Sequence, residues 1–143
     1  YKMKKILIVN ANYYKDMTDK LVASALKVLR KKKYKINIIN VPGIFEIPIA
    51  IRRSIDKFDG FIALGCVIKG DTPHFDLICN SAFKTILDLS VTYNKPISNG
   101  IITALNKKQA KERCGKISSR KPNKGLEAAA AVLSILNDEP KKS

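Results

Sequence analysis

The residues able to do chemistry in this chain crowd into one stretch, Ala63-Leu64-Gly65-Cys66-Val67-Ile68-Lys69-Gly70-Asp71-Thr72-Pro73-His74-Phe75-Asp76. His74 is the only histidine in 143 residues, and histidine is the side-chain type that trades protons near neutral pH. Just before it, Gly70-Asp71-Thr72 offers backbone N–H groups and a hydroxyl of the kind that cradle phosphate. Proton transfer beside a bound anion is the chemistry this spacing allows. Each residue also has a plainer reading. His74 can cap the helix that follows it or face solvent, and Gly-Asp-Thr is ordinary turn composition. Asp71 repels an anion unless its carboxylate points away. Lys69, Arg113 and Lys124 are candidate counter-charges among 27 lysines and arginines. Tyr13 can stack on a planar ring or pack on its own chain. Glu46, after Phe45, can accept hydrogen bonds from a polar ligand or favour a helix start.

Other chemistries lack their signatures. There is no P-loop, GxGxxG, GxSxG or kinase set. Cys66, Cys79 and Cys114 are an odd number in apolar surroundings with no CxxC, which predicts small buried thiols rather than a disulfide or a metal site. The net charge of +15 raises nucleic acid as a partner. The lysines are nevertheless spread over predicted helices, loops and tail, and no recognition motif accompanies them, so nucleic-acid binding is not expected. Apolar runs are strand-sized, too short for a membrane span or a signal-peptide core, and the sequence reads as cytosolic. Tyr1 leaves the true start either upstream or at Met3. At 45% hydrophobic residues the chain suits one domain with a substantial core, about 5–137, and frayed ends.

The elements that must position these residues alternate in type. Lys5–Ala11, Lys35–Val41, Gly60–Ile68 and 97–103 read as strands, the third apolar throughout, as in a sheet covered on both faces. Between and after them, 16–30, 46–56, 75–93, 107–114 and 125–136 carry helical spacing. Lys116 to Pro122 falls in a polar, basic loop. This alternation predicts right-handed βαβ units and an α/β fold in three layers, helix-sheet-helix. Four parallel strands fit the flavodoxin-like order 2-1-3-4. The unusual residues then fall at carboxyl strand ends: Asn12 and Tyr13, Pro42 to Glu46, Lys69 to His74, and Ser98 with Asn99. That is the edge at which open α/β sheets bind ligands.

The motifs taken together resemble one family. Val41-Pro42-Gly43-Ile44-Phe45-Glu46-Ile47-Pro48, the stretch from Ala63 to Asp76, Asn99-Gly100-Ile101-Ile102-Thr103, Gln109-Ala110-Lys111-Glu112-Arg113 and Asn123-Lys124-Gly125-Leu126-Glu127-Ala128-Ala129 are similar in order and spacing to 6,7-dimethyl-8-ribityllumazine synthases. The resemblance implies condensation of 5-amino-6-ribitylaminouracil with 3,4-dihydroxy-2-butanone 4-phosphate in riboflavin biosynthesis, with phosphate and water released. No cofactor and no metal are implied. His74 takes the acid–base position and Tyr13 the ring-stacking one. Ile44, Phe45 and Glu46 match the segment binding the ribityl chain and ring polar groups, and Cys66, Val67 and Ile68 belong to the ring pocket. Gly70, Asp71 and Thr72 match the phosphate loop, Arg113 the phosphate arginine and Lys124 a second cation.

The resemblance further implies a homopentamer with active sites between subunits, where Ser98, Asn99, Arg113 and Lys124 come from the neighbouring chain. The loop Lys116 to Pro122 is longer than the short turn of shell-forming members, which favours a free pentamer. Four positions depart from the common pattern: Asn12 and Lys69 replace frequent arginines, Ile44 a small residue, and Ser81 a glutamate. Ile44 is expected to narrow the ribityl site.

Overall fold

The computed structural model describes residues 3–71, 73–115 and 123–137. Its centre is a parallel sheet of β1 (Lys5–Ala11), β2 (Lys35–Val41), β3 (Gly60–Ile68) and β4 (Ile97–Ala104), in the order β2-β1-β3-β4. Ile6 pairs with Ile36 on one side and Gly60 on the other, and Phe61 pairs with Ile97. The order and the three layers are those the alternation predicts. β3 lies inside the sheet and is buried from Gly60 to Cys66, which explains its unbroken apolar run. β2 is an edge strand, and most of its residues are exposed.

Side chains alternate between two cores, one on each face. Ile6, Ile8, Ile62, Leu64 and Cys66 meet α1 (Lys15–Leu29), α4 (Lys107–Arg113) and α5 (Lys124–Asn137). Leu7, Val9, Ala11, Phe61 and Ala63 meet α2 (Ile47–Arg53) and α3 (His74–Tyr93). The predicted helices differ from these by no more than three residues at either end. The helix predicted over 46–56 is shorter, α2 alone, with Pro48 in its first turn and a single 3-10 turn, Ile44–Glu46, ahead of it. The three cysteines are free and buried, as their surroundings predict. Thr72, the loop 116–122 and the tail from 138 onward lie outside the described residues. No described helix is long and apolar enough to cross a membrane.

Candidate active site

Three strands deliver their candidate residues to the carboxyl edge. Where β1 ends, the Asn12 N–H donates to the Val41 carbonyl at 3.1 Å, tying that end to β2. Tyr13 and Tyr14 then meet edge to face, with centroids 5.0 Å apart. Tyr14 packs on the core under α1, while Tyr13 is 76% exposed. Tyr13 thus touches its own chain through Tyr14 and leaves most of its ring open to solvent. Burial raises the Tyr14 hydroxyl above its ordinary range, with Tyr13 and Cys66 adding to the rise.

From β2, the 3-10 turn alternates direction. Ile44 is only 6% exposed and belongs to the core, so its bulk is turned away from solvent instead of narrowing an external site. Phe45 beside it is 70% exposed. Glu46 donates its N–H to the Gly43 carbonyl at 3.2 Å, and its carboxylate folds back over Gly43. The turn packs against both α3 and β3. β3 ends with Val67 on the α2–α3 face and Ile68 on the other, and the Lys69 N–H donates to the Ala104 carbonyl at 2.9 Å. Lys69, Gly70 and Asp71 are exposed. Pro73 stands at the helix N-cap, and His74, the first residue of α3, is exposed beside it. Tyr13, Phe45, Glu46, Val67 and His74 thus share the carboxyl edge, the last four around one turn-and-helix junction.

Other candidates lie elsewhere in the chain. Ser98 and Asn99 pair with Ile62 and Ala63, near the amino end of β4, whereas Ala104 pairs with Ile68. Six residues of strand separate Ser98 from the carboxyl edge, roughly 20 Å. The predicted convergence of strand ends therefore holds for three strands and fails for the fourth. The Asn99 carboxamide oxygen accepts the Ile101 N–H at 3.0 Å, while the buried Ser98 hydroxyl has no hydrogen-bond partner among the described residues. Ser98 also borders an open groove of about 940 Å³ between α3, β4 and α5.

Arg113 closes α4 and is half-buried on the α1–α5 face, opposite the face of Val67 and α3. Lys124 opens α5, with its ammonium 3.8 Å from Glu127. Asn123, which the motif reading left without a role, fixes that start. Its amide nitrogen donates to the Gly115 carbonyl at 2.7 Å and to the Ser24 hydroxyl at 3.1 Å. Its carboxamide oxygen accepts the Leu126 N–H at 3.0 Å, an N-cap.

Burial disfavours the thiolate form of all three cysteines. Cys66 lies against Met17, with its sulfur 3.7 Å from the thioether, on the face away from Val67. Burial, then Cys114 and Asp16, push its thiol up to about 12. Burial raises Cys79 and Cys114 as well. Among the described residues no group of three or more His, Cys, Asp or Glu side chains is placed to hold a metal ion. The edge presents exposed aromatic rings, a carboxylate, open backbone at Gly70 and one imidazole. That set suits ring binding and proton transfer better than covalent catalysis.

Comparison with known proteins agrees with the motifs. The family model described as 6,7-dimethyl-8-ribityllumazine synthase matches residues 3–139. Proteins of that name from Bartonella bacilliformis and Agrobacterium fabrum are each 40% identical to the chain, over 134 and 138 residues. The alignments cover 91% and 92% of this chain and 88% and 91% of those proteins. A protein of the same name from Campylobacter jejuni subsp. doylei is 40% identical over 138 residues, 93% of this chain and 88% of its own length.

Proposed function

The chain belongs to the 6,7-dimethyl-8-ribityllumazine synthase family, and on that premise we propose that it condenses 5-amino-6-ribitylaminouracil with 3,4-dihydroxy-2-butanone 4-phosphate in riboflavin biosynthesis. The observation that carries this reading is the meeting of exposed rings and an imidazole at one sheet edge: Tyr13, Phe45 and His74. Tyr13 stacks on the pyrimidine, and Phe45 and Glu46 hold its ring and ribityl polar groups beside Val67. The ring amine adds to the ketone carbon, and water leaves to form an imine. Loss of a proton from the adjacent carbon then expels phosphate. The enol this leaves tautomerises to a new ketone, which the ribityl-bearing nitrogen attacks, and a second water departs. Every step moves a proton, and His74, exposed at this edge, is the group we assign to that transfer. Holding both substrates together lowers the entropic cost of their meeting.

The departing phosphate meets Gly70, Asp71 and Thr72 of one chain and Arg113 of the next. Within one chain Arg113 and Lys124 lie on the face opposite His74, and Ser98 and Asn99 lie near the other end of β4. A homopentamer with sites between subunits is the arrangement we propose to bring them together. Three free thiols suit a reducing cytosol.

The test is to mix purified protein with both substrates and follow the fluorescence of the lumazine product. Turnover is expected, and His74→Ala should lower kcat by ~10²-fold, the low end of what a positioned acid–base group contributes. Circular dichroism should be unchanged in that variant, because His74 is exposed. A wild-type rate no faster than the protein-free mixture would refute the assignment.

A further inference from the structure

We propose that Ile44 is a positioning residue, a peg seated in a notch at Gly65 that sets where Phe45 and Glu46 stand. For its substrate the inference rests on the function proposed above.

Gly65 lies in the middle of β3, and no described glycine has a positive φ, so its backbone does not demand glycine. Space does. A Cβ at Gly65 would stand 3.1 Å from Ile44 Cγ2 and 3.3 Å from the Ala11 Cβ. The missing side chain of one strand residue is thus the socket for Ile44, walled by the last residue of β1. A second peg follows three residues on, where Ile47 is fully buried. In a 3-10 turn residues i and i+3 eclipse, so 44 and 47 point into the core together and 45 and 46 project outward.

Two backbone hydrogen bonds close the turn, from the Glu46 N–H to the Gly43 carbonyl at 3.2 Å and from the Ile47 N–H to the Ile44 carbonyl. Hydrogen bonds of a 3-10 turn have poorer geometry than those of an α-helix, so seating in the core adds to what they restrain. Isoleucine suits this use because its β-branch leaves few rotamers. The socket is also well placed. Gly65 precedes Val67 by two residues on the same face of β3, and the turn abuts α3, which His74 opens. A shift of the peg therefore moves Phe45 relative to both Val67 and the imidazole.

The test uses Ile44→Ala, Ile44→Val, Gly65→Ala and the double variant Ile44→Ala/Gly65→Ala, with kinetics in each substrate and amide hydrogen exchange. Emptying the socket with Ile44→Ala should raise KM for the pyrimidine about tenfold, since misplacement near an ångström is costly. KM for the butanone phosphate should change less than twofold. Ile44→Val should restore most of the loss. Gly65→Ala, which crowds the peg, should reproduce the defect, and the double variant should be milder than either single one. Exchange at the Glu46 amide should quicken about tenfold in Ile44→Ala, as a loosened turn opens more often, while β3 amides keep their protection. A lowered melting temperature with an unchanged pyrimidine KM, or equal rises in both KM values, overturns the proposal. If the wild-type protein makes no product, the proposed reaction fails by itself; unchanged Glu46 exchange in Ile44→Ala then overturns the peg, and quickened exchange upholds it.

Discussion

Tyr13 and Tyr14 show how adjacent residues of one type take opposite parts, one ring offered to solvent and the other packed under α1. Composition cannot separate them; the direction of the chain as it leaves β1 does. Ile44 poses the same problem more sharply. Its apolar character was legible, but a single 3-10 turn has too few residues to reveal a period, so its inward direction was not. Ser98-Asn99-Gly100 misled for a physical reason. A polar, glycine-containing break reads as a strand end, yet Gly100 is needed for packing, since a Cβ there would lie 2.6 Å from Leu64 Cδ2 and 3.0 Å from the Ala128 Cβ. Cys66, by contrast, was legible as a buried thiol and yields a test. Its folded value of about 12 exceeds the ordinary 9.0, so the native state keeps a proton that the unfolded chain has released. That contribution to stability is complete below about pH 9 and is lost as pH climbs toward 12. Urea midpoints at pH 8 and pH 10.5 should show the fall, and Cys66→Ala should show a smaller one.

Among the elements, strands were read almost to the residue, because an apolar run bounded by Gly, Pro and Asn leaves little freedom of register. Helix type was equally plain, and only the ends moved. What periodicity does not report is how closely two helices approach. α5 packs on α1, and at their contact a methyl on Gly125 would collide with the Leu21 carbonyl oxygen and stand 3.0 Å from the Leu21 Cα. Backbone cannot swing aside as a side-chain tip can. Gly125→Ala should therefore cost about 3 kcal/mol, the upper range for overpacking, despite alanine's better helix propensity. Urea denaturation checks this directly, and a variant as stable as the parent would mean the helices separate freely. The same contact holds the start of α5, where Asn123 bonds to Ser24 and Gly115, so the placement of Lys124 depends on it too.

At the scale of the whole molecule, the surplus of +15 has no single seat, since its lysines and arginines lie on helices and loops alike. Charge spread in this way governs solubility and repulsion between copies more than it marks one docking surface. Leu87 and Val91 on α3 are exposed apolar side chains. The division of cations and imidazole between opposite faces of the sheet reaches furthest. In a ring, each protomer would lend its arginine to one neighbour while borrowing from the other. Two crippled proteins, His74→Ala and Arg113→Ala, should then heal one another when unfolded together and reassembled. About a quarter of the junctions would join an intact imidazole to an intact guanidinium, and activity should return to that fraction. If the mixture stays as inert as its parts, each chain works alone.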